Sequence, residues 1–269
     1  PGYDPRRLAE YFSGQSGDEA SLFNRATQGQ YPPGSAFKPV VLAAALETGV
    51  ARPAELYVDG GSIRIGHRTI HNASGEAHGL IALDDALARS SNVVFASLAA
   101  KLKASDFHEI AGRFGAGRRP GIEIAAAAGR LPGLDELEDE VARAEVGIGQ
   151  GSLLVTPLQM AQIAAAVANG GYRVEPTLLL ALRTPGGESR SLERPAREPV
   201  MSAGTAQVIK EAMTAAASWG TARGVAWPGA QTVAGKTGTA ENPHGEPHAW
   251  FIGFYPAEDP RIALAVVVE

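Results

Sequence analysis

The sequence has no cysteine. That excludes a disulfide framework, a thiolate nucleophile and a cysteine-ligated zinc or iron–sulfur centre. It suits an oxidising compartment, where a stray thiol is a hazard, although cytosolic chains can lack cysteine too. Long apolar runs are also missing. No stretch reaches the roughly 18 apolar residues of a membrane-spanning helix, and no signal peptide opens the chain. The first residue is Pro1 rather than Met, so a trimmed piece of a longer protein is expected. Positive charge is in short supply: 24 Lys and Arg face 29 Asp and Glu, for a net charge of −5. No basic face for nucleic acid is implied.

Lysine is the scarcest basic residue, with only Lys38, Lys101, Lys103, Lys210 and Lys236. Lysine can lose its proton near neutrality when buried or crowded, whereas arginine effectively cannot. A chain that prefers arginine this strongly has a reason for each lysine it keeps. What remains is ordinary: 269 residues, 45% hydrophobic and 20% charged, enough for one large domain or a domain with an insertion.

Residues 1–34 are polar and rich in Gly and Pro, and lead as a loop into residues 35–48. That segment is apolar on all sides, as a buried helix is, and Gly49 closes it. Pro39 stands close enough to its start to be tolerated. Residues 60–72 alternate as a small hairpin. Leu83–Ala88 reads as a short helix. Ser90-Ser91-Asn92 supplies caps for the next one, Val93 to about Lys103. Residues 115–150 read as loops with short elements. Thr156, Pro157 and Gln159 form a capping-box helix start, and that helix runs to Asn169 before Gly170-Gly171. Residues 172–183 read as strand, and Ser202 caps a helix to about Ser218. Thr232–Ala240, Ala249–Tyr255 and Ile262–Val268 read as strands, with turns at 242–246 and 256–259. The last two are almost continuously apolar, so cover on both faces is expected. Helices segregated from a C-terminal antiparallel meander predict the α+β class.

Three short patterns carry candidate chemistry. In Ser35-Ala36-Phe37-Lys38, a helical turn puts Lys38 on the face of Ser35. A serine hydroxyl is a weak nucleophile until a base takes its proton, and a lysine desolvated by neighbours such as Phe37 and Val41 can do so. Ser35 at a helix start also has free backbone N–H groups nearby. On its own the pair is better explained by an N-cap serine and a surface lysine. Ser90-Ser91-Asn92 is explained by capping, which needs one of the three residues. Gly235-Lys236-Thr237-Gly238-Thr239 is more specific. Two glycines in one strand imply close approach of a backbone or ligand, and Lys and Thr at that edge suit a carboxylate. Together these are SxxK, SxN and KTG, in that order, with both diagnostic lysines drawn from a pool of five. This set is the signature of penicillin-binding proteins and serine β-lactamases.

With Gly149-Gln150-Gly151, Thr156-Pro157-Leu158-Gln159 and the run His248–Pro256, the whole chain resembles the transpeptidase domain of penicillin-binding proteins. It is most similar to monofunctional class B members of the actinobacterial cell-division type. The resemblance implies that fold: an antiparallel sheet covered by helices plus a mostly helical subdomain. Residues 31–225 would be the mostly helical part, with SxxK and SxN. Residues 226–269 would be the strands carrying KTG, packed with residues 1–30. It implies Ser35 as nucleophile, Lys38 as base and Ser90 as proton relay. Asn92 would hold the substrate amide. Thr237 and Thr239 would hold the terminal carboxylate with Lys236 adding positive charge, Gly238 would belong to the same substrate-binding strand, and the N–H groups of Ser35 and Thr239 would form the oxyanion hole. The substrate would be a peptidoglycan stem peptide, β-lactams would acylate Ser35, and no metal or cofactor would be needed. The family also implies an extracytoplasmic location, a membrane glycosyltransferase partner, and an N-terminal anchor and pedestal outside these 269 residues.

Other readings carry less. His67 with His71 and His244 with His248 have i,i+4 spacing but fall in hairpin or turn without acidic partners. The acidic run 135–140 reads as a solvated helix face, and Trp219, Trp227 and Trp250 as core or groove lining. A serine β-lactamase would also need a base for deacylation, for which no motif stands out. A non-catalytic β-lactam sensor would keep all three patterns.

Overall fold

The computed structural model describes residues 4–13, 22–193, 195–224, 232–242 and 245–269; Trp227 and His244 lie outside them. Among the described residues no helix is long and apolar enough to cross a membrane. Two short helices, α1 (Leu8–Phe12) and α2 (Arg25–Gln28), precede a 3-10 turn, Gly34–Phe37, which runs into α3 (Lys38–Glu47). Two antiparallel ribbons follow: β1 (Leu56–Asp59) with β4 (Gly79–Ala82), and β2 (Ser62–Ile65) with β3 (Arg68–His71). Next come α4 (Leu83–Ala88), α5 (Asn92–Lys101), α6 (Ala104–Arg113), α7 (Leu134–Leu137), α8 (Glu140–Gly147) and α9 (Pro157–Ala168). Strands β5 (Tyr172–Val174), β6 (Ala181–Arg183), β7 (Ser189–Ser191) and β8 (Arg197–Pro199) lead to α10 (Ala203–Ser218). The chain closes with β9 (Ala234–Ala240), β10 (His248–Tyr255) and β11 (Ile262–Val268), an antiparallel sheet of order β11-β10-β9.

The core lies between this sheet and the helices. Helix α3 is its axis, with every residue from Lys38 to Ala45 buried, as an all-apolar helix demands. It packs against α5, α6 and α10, while α10 lies on β9 and α9 on β10 and β11. Helices α5 and α8 cross closely because Gly147 has no side chain: a Cβ there would stand 2.3 Å from the Ala99 Cβ. The α+β expectation is met.

Local signals placed several ends correctly. Thr156 and Gln159 form the reciprocal capping box, Pro157 opens α9, and Ser202 caps α10. The helix expected from Ser35 instead starts with a 3-10 turn and becomes α-helical at Lys38, leaving Pro39 in the first α-turn. Residues 172–183 are not one strand. Pro176, without an N–H for a ladder, falls between β5, which pairs with β8, and β6, which pairs with β7. Helix α6 was not anticipated, although Ala104, Phe107, Ile110 and Ala111 recur on its buried face at helical spacing.

Cover on both faces holds for β10 except at the exposed Ala249, but not for β11. Ala263, Ala265 and Val267 face the core, whereas Ile262, Val266 and Val268 are half or more exposed. Strand β11 is one of the two edge strands of the sheet, and among the described residues nothing buries these outward side chains. Trp250 is core, its Nε1 donating to Pro32 O at 3.0 Å. Trp219 is partly exposed, with the Arg89 guanidinium 5.3 Å above its ring. In the acidic run, Glu136 pairs with Arg130 and accepts a hydrogen bond from Ser152.

Candidate active site

Three distant segments meet at one cleft of about 470 Å3. Ser35 sits on its wall in the 3-10 turn before α3, half-buried. That turn is held from two sides by glycines. Gly34 has φ +53°, donates its N–H to Gly149 O (2.9 Å), and lies so close that a Cβ on Gly149 would be 1.9 Å from Gly34 O. From the sheet, Gly238 comes so near that a Cβ there would stand 2.8 Å from Ala36 N and from Pro33 O. The two-glycine strand is therefore a close backbone approach, between β9 and the turn bearing Ser35. Thr239, exposed, lines the same cleft.

Lys38 leaves the end of this turn and is fully buried. Its Nζ donates to Ser90 O (2.7 Å), Asn92 Oδ1 (2.8 Å) and Ser90 Oγ (3.3 Å), and lies 5.4 Å from the centre of the Phe95 ring. The hydrogen-bond partners of Nζ are thus on the Ser90–Asn92 segment; Ser35 Oγ itself has none among the described residues. Burial pushes the Lys38 ammonium well below the ordinary lysine range. The nearby Lys236 charge pushes it further, and Asp59 partly opposes them. A lysine in this state can accept a proton near neutrality.

Ser90 lies between α4 and α5 with φ +61°, unusual for a residue with a side chain. Its Oγ accepts from Lys236 Nζ at 2.9 Å as well as from Lys38. Lys236 is not the exposed edge cation its position in the strand suggested. It is fully buried, its Nζ bonded to Ser90 Oγ and to Thr237 O (2.8 Å), and burial lowers its pKa to about 7. Thr237 Oγ1 donates to Thr221 Oγ1 (2.7 Å), a partner outside all three patterns. Asn92 Nδ2 donates to His71 O (2.8 Å), so its amide already bridges Lys38 and β3.

Arg68, His71, Glu145, Gln150 and Glu241 also line the cleft. None was foreseen as a lining residue, because they come from four separate segments. His71 is there as a wall, with His67 in the preceding turn; among the described residues no three metal-ligating side chains cluster. A larger hollow of about 740 Å3, bordered by His108, Arg113, Arg118 and Arg130, contains no residue of the three motifs.

A serine in a cleft wall, two buried lysines of lowered proton affinity and a second serine between them bring the SxxK, SxN and KTG patterns to one place, on a helix-covered antiparallel sheet. The chain belongs to the family of penicillin-binding protein transpeptidase domains, whose model matches residues 1–269. It is similar to the peptidoglycan D,D-transpeptidase PbpA of Mycolicibacterium smegmatis, with 34% identity over 290 residues covering 100% of this chain and 58% of that protein. It is also similar to the D,D-transpeptidase domain of a peptidoglycan glycosyltransferase from Eggerthella lenta (TM-score 0.91, 30% identity, 100% of this chain, 68% of the other). A third likeness is to penicillin-binding protein A of Mycobacterium tuberculosis, solved as a ceftriaxone acyl-enzyme (TM-score 0.88, 31% identity, 100% of this chain, 64% of the other). The chain thus spans little more than half the length of the curated PbpA relative it matches.

Proposed function

We propose that this chain is the catalytic domain of a serine D,D-transpeptidase that cross-links peptidoglycan stem peptides and is acylated by β-lactams. One observation carries the reading: Lys38 and Lys236, both buried, converge on the single hydroxyl of Ser90 beside the cleft that holds Ser35. The names of the relatives and the acylated mycobacterial structure support it.

In this mechanism Ser35 Oγ attacks the carbonyl of the penultimate D-Ala, and its proton passes to Lys38. The backbone N–H groups of Ser35 and Thr239 receive the oxyanion, as fixed donors placed where the negative charge develops. Collapse of the intermediate breaks the amide bond, and Ser90 Oγ hands a proton to the leaving D-Ala amine while drawing one from the lysines. The ester on Ser35 is then attacked by an amine of a second stem peptide, which releases the serine and forms the cross-link. Asn92 orients the substrate amide. Thr237 and Thr239 take the terminal carboxylate, with Gly238 keeping the strand close and Lys236 organising Ser90. A β-lactam follows the first half of the path and stops at the ester. No metal or cofactor enters these steps. The same reading takes residues 1–269 as one transpeptidase domain, working outside the cytoplasmic membrane beside a glycan-polymerising glycosyltransferase.

The deciding measurement is intact-mass spectrometry after incubation with a penicillin, on wild type and Ser35→Ala, followed over hours. A stable adduct on wild type alone is expected. An adduct that decays within seconds while the drug is consumed would point to a β-lactamase. No adduct on wild type would refute the assignment. Transfer of an acyl group to D-amino acids separates the transpeptidase from a sensor.

A further inference from the structure

Asp59, the last residue of β1, is a fully buried carboxylate with no ion-pair partner among the described residues. Burying a charge is costly unless neighbours hydrogen-bond it. Here Gly61 N donates to Oδ1 (2.9 Å), Asn72 Nδ2 donates to Oδ1 (2.7 Å) and Oδ2 (2.9 Å), and Ser91 Oγ donates to Oδ2 (2.6 Å). Burial raises the proton affinity of Asp59, but the bonds from Ser91, Gly61 and Asn72, with His78 nearby, outweigh it and hold the carboxyl below its ordinary range.

The two side chains bonded to this carboxylate also cap α5. Asn72 Oδ1 accepts from Asn92 N (2.8 Å) and Val93 N (3.1 Å), and Ser91 Oγ accepts from Val94 N (3.0 Å). Three of the N–H groups left open at a helix start are therefore met by side chains that one carboxylate orients. Ser91 lies between the two residues that grip Lys38, with Ser90 O and Ser90 Oγ on one side and Asn92 Oδ1 on the other.

We propose that Asp59 is a positioning residue for catalysis: through Ser91 and Asn72 it fixes the Ser90–Asn92 segment that aims the Lys38 amine and the Ser90 hydroxyl. The proposal rests on the acyl-transfer reading above. Asp59 also bears on Lys38 through its charge. The charged groups acting on Lys38 are Lys236 from β9, which lowers its proton affinity, and Asp59 from β1, which raises it.

The test is the second-order rate of acylation by a fluorescent penicillin, per folded molecule, from pH 5 to 9. It is run on wild type, Asp59→Asn, Ser91→Ala and, as a destabilised control, Ile163→Ala in the core of α9. Asn at position 59 keeps the shape but turns an amide toward donors and removes the charge. Both site variants should acylate on the order of 10- to 100-fold more slowly, the scale for a reacting group displaced by up to about 1 Å. Asp59→Asn alone should move the acid limb of the profile to lower pH, because Lys38 loses a charge that favours its protonated form. Ile163→Ala should melt earlier with rate and profile unchanged. If Asp59→Asn does not fold, Ser91→Ala decides by its rate. Site variants that melt early but acylate like wild type would overturn the proposal and leave the catalytic reading intact. A wild type that takes no adduct would overturn both.

Discussion

Lys236→Met measures how the site holds its second lysine. Burial lowers the Lys236 pKa from an ordinary 10.5 to about 7 in the folded protein. Each unit is worth about 1.4 kcal/mol, so at pH 7.5 the buried amine costs the fold about 4 kcal/mol relative to an exposed lysine. Between pH 7 and 10.5 the unfolded chain binds one proton more than the folded chain at this residue, so its contribution to stability rises with pH by about 1.4 kcal/mol per unit. Methionine removes that term. It also deprives Ser90 Oγ of one of its two donors and Thr237 O of the Lys236 amine, a loss of roughly 1–3 kcal/mol at each group left without a partner. Ser90 Oγ keeps Lys38 as a donor, so the relief of the buried amine outweighs the lost bonds at pH 7.5, and wild type gains on the variant as pH rises. Urea unfolding at pH 7.5, 8.5 and 9.5 reads this directly. The difference between wild type and variant should grow by about 3 kcal/mol over that range. Without the Lys236 charge Lys38 binds its proton more tightly in the variant, which adds to the difference rather than opposing it. Parallel curves would refute the reasoning, since they would mean that Lys236 keeps its proton when buried.

Other outcomes follow from the same geometry. The wild-type acylation rate should reach its plateau well below pH 10.5, because burial and the Lys236 charge make Lys38 lose its proton well below the ordinary lysine range; a rate still climbing at pH 10 would contradict this. Gly238→Ala places a Cβ 2.8 Å from Ala36 N and Pro33 O, so β9 must shift from the Ser35 turn. Acylation should then drop on the order of a hundredfold, and a near-normal rate in a stopped-flow assay would show that the turn yields freely. Trp250→Phe loses the bond to Pro32 O and should cost roughly 1–3 kcal/mol in urea unfolding; an unchanged midpoint would mean that water replaces the indole.

The amino-acid sequence by itself determined what depends on near neighbours. The capping box of Thr156 and Gln159, the Ser202 cap and the ribbon at 62–71 are local patterns, and all three occur where the residues predict. The order SxxK, SxN and KTG, with two of five lysines inside it, was enough to name the candidate chemistry. The tertiary structure decided everything that depends on chain brought back from far away. Lys38 reaches across 52 residues to Ser90, and Lys236 across 146. No local pattern says that both amines end in a dry interior on the same hydroxyl. Asp59 is in a strand the motifs do not touch, yet its carboxylate accepts a bond from Ser91 in the segment that carries SxN. The outer face of β11 failed the other way: an apolar run predicts cover, but only packing decides what lies over it. Burial sets proton affinity, and burial is a property of the assembled fold, so the sequence could name the lysines but not their state.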